Sequence, residues 1–237
     1  MTAPQAARAS VSGRAWLSAY AIVAVEVMVA RLVHADVAGL VGIFLAMPVL
    51  AGFLLASVRR PSRTIWLVLV SLFFSWLGDW VGDITEPHVV VKGVFFSVAH
   101  LCYIAAFWPF RSNSVMRRPR YLAGYVVVVV MLLIWVAPYA GRLAPALVVY
   151  GITLGAMAVL ATGVHPLTGV GGTIFAFSDM AITVSAFVFP YRFGADGLVI
   201  ISTYLLAQLL IILGVVAVSP HAPAEPDPGG RGAVEQA

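Results

Sequence analysis

Charged residues are scarce in this sequence, and the basic ones are almost all arginine. Only 10% of its 237 residues are charged and 62% are apolar, whereas soluble domains average about 25% charged residues. Lys92 is the only lysine. This composition predicts an all-α, polytopic membrane protein with no room for a sizeable soluble domain. Membrane topology then explains the net charge of +4, so we expect no nucleic-acid partner.

Cysteine and the common catalytic motifs are also missing. Cys102 is the only cysteine, which excludes an internal disulfide and a multi-cysteine metal site. The sequence contains no GxSxG, HExxH, Walker A or CxxC motif. Among the histidines, only His100 falls inside a predicted span, which disfavours a three-histidine zinc site. We therefore expect neither a metal nor a cofactor, and a pair of carboxylates is the most sensible reactive centre.

Long apolar runs fill most of the chain and predict eight transmembrane helices. Arginines concentrate on the side of the N-terminus, so the positive-inside rule predicts that both termini are cytoplasmic. We expect a cytoplasmic segment over 1–15, an eight-helix domain over 16–218 and a disordered cytoplasmic tail over 219–237, in the inner (plasma) membrane. The predicted spans are Trp16–Val33, Val37–Val58, Ile65–Val81, Val89–Phe110, Tyr121–Pro138, Ala144–Ala161, Gly169–Phe189 and Leu198–Val218.

Two aspartates lie in the middle of membrane-length apolar runs. Asp79 is in SLFFSWLGDWVGD, and Asp179 is in GGTIFAFSDMAITVSAF. An ionised carboxylate at that depth is unfavourable without a partner, so an intramembrane acid is a functional-site hypothesis by default. Both acids follow a Phe- and Ser-containing segment in spans three and seven, which is consistent with two four-helix halves forming a parallel repeat.

Other polar residues of spans three and four lie at helical spacing, at membrane depths similar to those of the two aspartates. Ser75, Asp79 and Asp83 share one face of span three, with Asp83 near enough to the outer end to be a solvated helix-end residue. His100 and Tyr103 share a face of span four. Because a short loop joins spans three and four, an Asp79–His100 contact is feasible. A neutral histidine bonded to a backbone carbonyl is the structural alternative.

Other polar residues in the spans allow structural and functional interpretations. Ser178 directly precedes Asp179 in span seven. Glu26 is deep in span one and suits a structural polar partner or a site residue equally well. Gln208 and Tyr150 are more typical of hydrogen bonds between helices.

Three segments resemble the YhhN-like lysoplasmalogenase family of integral membrane proteins. They are FFSWLGDWVGD, FFSVAHLCYIAAF and, much later, GTIFAFSDMAI. The resemblance implies an eight-helix enzyme that hydrolyses the vinyl ether bond of lysoplasmalogens to a fatty aldehyde and glycerophosphoethanolamine or glycerophosphocholine. It also implies that Asp79 and Asp179 occupy the acidic catalytic positions. The chain departs from the family after the first GD, where it reads WVGD and relatives typically carry a more apolar run.

The chemistry implied by this resemblance suits two carboxyls. Vinyl ether hydrolysis begins with protonation of an alkene carbon, and water captures the resulting oxocarbenium-like cation. One carboxylic acid can supply the proton, while a second carboxylate stabilises the cation and deprotonates the water. We expect Asp79 and Asp179 to share these roles in an order that the sequence leaves open. His100 and Tyr103 would orient a carboxyl, the water or the substrate.

The partners follow from this interpretation. We expect a single-chain ether phospholipid as substrate within the lipid bilayer, with its phosphate near Lys92, Arg142 or Arg192 at the outer rim. The main alternative is a non-enzymatic transporter or lipid-binding protein in which the two aspartates carry protons or bind a cationic substrate. A metal-dependent hydrolase is a third interpretation. The oligomeric state is left open.

Overall fold

The described part of the chain is helical. The structure is a computed structural model that describes residues 11–85, 87–189 and 196–220, and these residues contain no β-strand. The predicted all-α class is therefore confirmed. Short 3-10 turns occupy Trp108–Asn113, Val115–Arg117 and Gly141–Leu143. The α-helices are α1 (Val11–Leu32), α2 (Asp36–Ser57), α3 (Arg63–Ile84), α4 (His88–Phe107), α5 (Pro119–Ala140), α6 (Ala144–Ala161), α7 (Pro166–Phe187) and α8 (Asp196–Ala217).

Local signals explain where several helices begin and end. The Ser62 side chain accepts a hydrogen bond from the backbone N–H of Ile65 and caps α3. Pro138, the predicted last residue of span five, lies inside α5, which continues to Ala140. Transmembrane helices tolerate such prolines because neighbouring groups satisfy the freed backbone carbonyls. The helix ends instead at Gly141, which has a φ of 53°, a conformation that glycine adopts at little cost.

The apolar surface identifies a multi-pass membrane protein. Seven stretches of the described chain are long and apolar enough to cross a membrane. Large apolar side chains also cover the outside of the bundle; Ile22 is 70% exposed and Val37 is 77% exposed. A surface of this kind is unfavourable in water and favourable in lipid.

One of the seven stretches, Pro119–Ala161, is 43 residues long and contains both α5 and α6. Leu133 of α5 packs against Gly151 of α6, and Val129 packs against Gly155. Numbers fall along α5 as they rise along α6, so these helices form an antiparallel hairpin. The number of membrane crossings, the internal repeat and the side of the termini stay predictions. Residues 1–10 and most of the predicted tail lie outside the described residues.

Consecutive helices pack as antiparallel pairs around an apolar core. The closest pairs are α1 with α2, α3 with α4, and α7 with α8, and α1 and α2 also contact α8. A Cβ atom at Gly171 would lie 2.8 Å from the backbone oxygen of Ala207, so α7 and α8 approach closely. This pairing places the end of α3, the start of α4, the start of α6 and the end of α7 at one end of the bundle, here named the hairpin end.

Candidate functional site

Three helices converge on the carboxyl of Asp179. This residue lies on α7 and is 1% exposed. Its Oδ2 accepts a hydrogen bond of 2.5 Å from the hydroxyl of Tyr150 on α6. The same oxygen lies 3.4 Å from Nε2 of His100 on α4. Its other oxygen, Oδ1, is buried and has no hydrogen-bond partner among the described residues. Protein groups therefore surround Oδ2, while Oδ1 is left without a hydrogen bond.

His100 is fully buried within aromatic side chains. Its ring packs 5.3 Å from that of Tyr150, 5.5 Å from Phe175 and 6.5 Å from Phe96. Neither ring nitrogen makes a hydrogen bond within the described parts of the chain, so the 3.4 Å contact with Asp179 is an ion-pair distance with poor hydrogen-bond geometry. The alternative in which His100 bonds a backbone carbonyl is therefore wrong. This histidine contacts Asp179 on α7, whereas the sequence made a contact with Asp79 on α3 feasible.

Asp79 has a tyrosine partner of its own. This aspartate lies on α3 and is 8% exposed. Its Oδ2 accepts a 2.7 Å hydrogen bond from the hydroxyl of Tyr204 on α8. A phenol hydroxyl is a suitable partner for a buried carboxyl because it donates a hydrogen bond and adds no charge to the interior. Each of the two intramembrane aspartates is thus paired with a tyrosine from a distant helix.

Two phenylalanine rings join the two aspartate environments. Phe96 and Phe175 pack edge to face with their centroids 6.2 Å apart. Both contact the ring of Tyr204, at 5.8 Å and 5.6 Å, and both contact His100. The Asp79–Tyr204 pair and the Asp179–His100 pair therefore border the same aromatic layer. The fold brings the two predicted acids into one region of the bundle, with aromatic rings between their partners.

Tyr103 and Ser75 belong to a polar network beside this region. The hydroxyl of Tyr103 donates to Oε1 of Gln208 at 2.7 Å, and Nε2 of Gln208 donates to Oγ of Ser75 at 3.2 Å. All three side chains are fully buried. Gln208 lies one helical turn beyond Tyr204, so the network adjoins Asp79. The hydrogen bonds recorded for Tyr103 and Ser75 are with Gln208, which indicates a structural clamp between α3, α4 and α8.

The remaining predicted residues have contacts elsewhere. Ser178 donates to the backbone oxygen of Ile200 at 2.9 Å and links α7 to α8. The carboxylate of Glu26 packs directly on Gly42 of α2. The side chain of Asp83 lies outside the described residues, as does Arg192, one of the residues predicted to bind phosphate.

An apolar cleft lies between α4, α6 and α7, and its wall includes Tyr150, whose hydroxyl binds the Asp179 carboxylate. Its empty volume, including the part open to the outside, is about 760 Å³. Phe96, Tyr150 and Thr183 line its deep end, furthest from the hairpin end, and Lys92 lines the outer part. The wall is formed by Val89, Val90, Lys92, Gly93, Val94, Phe96, Ser97, Leu143, Ala146, Leu147, Tyr150, Ile182, Thr183 and Phe187.

Two features of the deep end tie the cleft to Asp179. The hydroxyl of Tyr150 binds its carboxylate, and Oγ1 of Thr183 donates to its backbone oxygen at 2.8 Å. Lys92 lies nearer the hairpin end, where its aliphatic stem packs on Gly82 of α3. Across the described ranges, no three His, Cys, Asp or Glu side chains converge in a way that could hold a metal ion.

Sequence reasoning missed the tyrosine partners of the two acids. The sequence predicts that Tyr150 makes a hydrogen bond to another helix, which its bond to Asp179 on α7 confirms, but it does not identify that acceptor. It gives no prediction for Tyr204. Both lie well inside apolar runs, and a buried phenol hydroxyl needs an acceptor. Their depth was therefore an available signal, although it does not identify which acceptor each would bind.

Comparisons with known proteins agree with the resemblance seen in the sequence. Lysoplasmalogenases from Mycobacterium bovis and Mycobacterium tuberculosis are each 34% identical to this chain over 159 residues, 63% of this chain and 59% of the relative. The chain thus spans 59% of the length of these curated relatives. No solved structure matches it significantly. The sequence model of the YhhN family matches residues 40–215, a range that includes both Asp79 and Asp179. The chain therefore belongs to the YhhN family.

Proposed function

We propose that this protein is a membrane hydrolase that cleaves the vinyl ether bond of a lysoplasmalogen or a related single-chain ether phospholipid. The products would be a fatty aldehyde and a glycerophospho-alcohol. The observation that carries the proposal is the buried Asp179 carboxyl, which has one oxygen without a hydrogen-bond partner among the described residues and is bound by Tyr150, a residue of the apolar cleft wall. Membership of the YhhN family and two relatives named lysoplasmalogenase support the same reaction over the transporter alternative.

The reaction needs one proton donor and one proton acceptor. A carboxylic acid transfers its proton to the alkene carbon remote from the ether oxygen, and the positive charge is shared by the other alkene carbon and that oxygen. Water then adds to this carbon and gives a proton to a carboxylate. The resulting hemiacetal gives up its hydroxyl proton to a carboxylate as the bond to the glycerol oxygen breaks and that oxygen takes up a proton from the carboxylic acid, which releases the aldehyde. Asp79 and Asp179 carry the donor and acceptor roles in this proposal.

The aromatic layer has a role in the same proposal. Phe96 and Phe175 border both aspartate environments. The faces of aromatic rings attract cations, most strongly where water is excluded. An oxocarbenium-like cation formed beside these rings would be stabilised by them and by the carboxylate that remains ionised.

The cleft orients the lipid in this proposal. Lys92 and His100 lie on α4, eight residues or about 12 Å apart along the helix axis. A glycerophosphate group, together with the flexible four-carbon stem of the lysine, can bridge this separation. The phosphate would therefore lie near Lys92, with the vinyl ether close to Tyr150 and Asp179.

The topology proposed for this enzyme has eight crossings. The antiparallel contacts between α5 and α6 support two crossings within the 43-residue apolar stretch. Cytoplasmic termini and location in the inner membrane complete the proposal and rest on the arginine distribution.

Aldehyde release from purified full-length protein tests the function. We expect the detergent-solubilised protein to release fatty aldehyde from a lysoplasmalogen but not from the matching saturated ether lipid, which has no alkene to protonate. Asp79→Asn and Asp179→Asn should each lower kcat by at least roughly a hundredfold, the scale of acid–base catalysis. Asp36→Asn is the matched control, because Asp36 is exposed at the start of α2. Full activity in either site variant, or no release by the folded wild type, would refute the proposal.

A further inference from the structure

Tyr150 belongs to both the cleft and the reactive centre. Its side chain lines the deep end of the cleft, and its hydroxyl donates to Oδ2 of Asp179 at 2.5 Å. Among the described residues that line the cleft, it is the one with a side-chain hydrogen bond to the Asp179 carboxylate. A substrate that enters the cleft therefore meets Tyr150 next to the proposed catalytic group.

We propose that Tyr150 is a positioning residue that holds the Asp179 carboxyl by Oδ2 and directs Oδ1 toward the reacting alkene. The inference rests on the proposed hydrolase function. Rotation of a carboxyl about its terminal torsion has a broad energy profile, so packing alone fixes its orientation poorly. Tyr150 and His100 both lie on the Oδ2 side, at 2.5 Å and 3.4 Å. Oδ1 is thereby the oxygen that remains to exchange a proton with substrate or water.

A second tyrosine provides a structural comparison. Tyr125 on α5 also makes a side-chain hydrogen bond to α7, where its hydroxyl lies 2.7 Å from Oγ1 of Thr173. Both tyrosines thus connect a neighbouring helix to α7 through their hydroxyl groups. Only Tyr150 of these two binds a carboxylate, and the Tyr125 bond is solvent- or lipid-exposed. Removing the Tyr125 hydroxyl therefore tests how losing a hydrogen bond between helices affects activity, without changing the proposed site.

Tyr150→Phe separates positioning from packing. Phenylalanine keeps the ring that packs on His100 and the cleft wall, and it removes only the hydroxyl. We expect kcat to fall roughly tenfold to a hundredfold, the scale expected when a reacting group is misplaced by about 1 Å. KM and the affinity for the uncleaved saturated ether analogue should stay within about twofold of wild type, and the pH profile of kcat should change shape. Tyr125→Phe should leave all three quantities unchanged.

The outcomes distinguish this inference from the proposed function. If Asp179→Asn is inactive while Tyr150→Phe retains the wild-type kcat and pH profile, the positioning role is wrong and the hydrolase function stands. If Asp179→Asn is fully active, the hydrolase centre itself is wrong. Should Tyr150→Phe fail to fold, 3-fluorotyrosine at position 150 keeps the side chain and alters its donor strength. An unchanged pH profile in that protein would also overturn the inference.

Discussion

At the scale of single residues, the two buried acids differ in their surroundings. Asp179 has a tyrosine on Oδ2, a histidine beside the same oxygen and a second oxygen without a described hydrogen-bond partner. Asp79 is slightly more exposed and is held by Tyr204. Paired carboxyls serve acid–base catalysis when their environments favour different protonation states. The two carboxyls proposed as proton donor and acceptor therefore lie in different surroundings.

Lys92 provides a residue-level prediction about substrate recognition. Lys92→Gln should raise KM for a lysoplasmalogen roughly tenfold, because a charge-assisted contact with phosphate is lost, and should leave kcat nearly unchanged. An alkenyl glycerol without phosphate should be hydrolysed equally by the variant and the wild type. Steady-state kinetics on both substrates make the comparison, with Arg63→Gln as the control, because Arg63 is an exposed cation at the start of α3, away from the hairpin end and outside the cleft wall. Equal KM changes for both substrates would contradict a phosphate contact.

Gln208 provides a residue-level prediction about stability. Its side chain accepts from Tyr103 and donates to Ser75, and all three are fully buried. Gln208→Leu leaves two buried hydroxyls without this partner, which should lower the free energy of unfolding by about 1–3 kcal/mol. Thermal unfolding of the purified protein measures the loss, and catalysis per folded molecule should fall far less than in Asp179→Asn. A free energy of unfolding equal to that of the wild type would show that these hydrogen bonds do not stabilise the bundle.

At the scale of helices, close packing depends on small residues at the crossings. A Cβ atom at Gly171 would lie 2.8 Å from the backbone oxygen of Ala207 and 2.8 Å from the backbone nitrogen of Ile211. Backbone atoms cannot turn aside as a flexible side chain can, so α7 and α8 would have to separate. The distance between α7 and α8 also affects the geometry of the site, because Asp179 lies on α7 and Tyr204 on α8.

Gly171→Ala should therefore destabilise the bundle by about 1–3 kcal/mol, the usual cost of overpacking, and should also lower activity by moving α7 relative to α8. Gly124→Ala is the matched control, since a Cβ there meets nothing within 4 Å and lies inside another helix, α5. Thermal unfolding and aldehyde release of both variants give the comparison. Equal stability of the two variants would mean that the α7–α8 contact adapts without strain.

Sequence patterns predicted the helices better than their mutual orientation. Apolar runs identified each helix to within a few residues, because span length follows bilayer thickness. Asp79 and Asp179 were selected by their depth alone. The contact of His100 with Asp179 was not predicted, because the short loop between α3 and α4 brings those helices together without determining how each rotates about its axis. The pairing of Asp79 with Tyr204, 125 residues away, depends on the complete bundle.

At the scale of the whole molecule, the contacts of the two acids follow a reciprocal pattern. Asp79 on α3 binds Tyr204 on α8, and Asp179 on α7 contacts His100 on α4. In the predicted division into two four-helix halves, the third helix of each half thus contacts the fourth helix of the other. Two parallel repeats related by a pseudo-twofold axis would produce such crossed contacts. This pattern supports the predicted repeat, which stays a prediction.

The number of crossings yields a prediction for the whole molecule. A continuous helix of the 43 residues in Pro119–Ala161 would be about 64 Å long, roughly twice the hydrocarbon thickness of a bilayer. The turn at Gly141–Leu143 should therefore reach one membrane surface, while the connection between α4 and α5 should lie at the opposite surface.

Membrane-impermeant maleimide labelling in a Cys102→Ser background tests this topology. The probes are Arg142→Cys in the first connection and Ser112→Cys in the second, both exposed in the structure. With eight crossings and cytoplasmic termini, Arg142→Cys should be labelled in intact cells and Ser112→Cys only after the membrane is permeabilised, because the arginine-rich α4–α5 connection stays on the cytoplasmic side. Labelling of both cysteines from the same side would rule out a crossing by α5 between them and, with it, the eight-crossing topology.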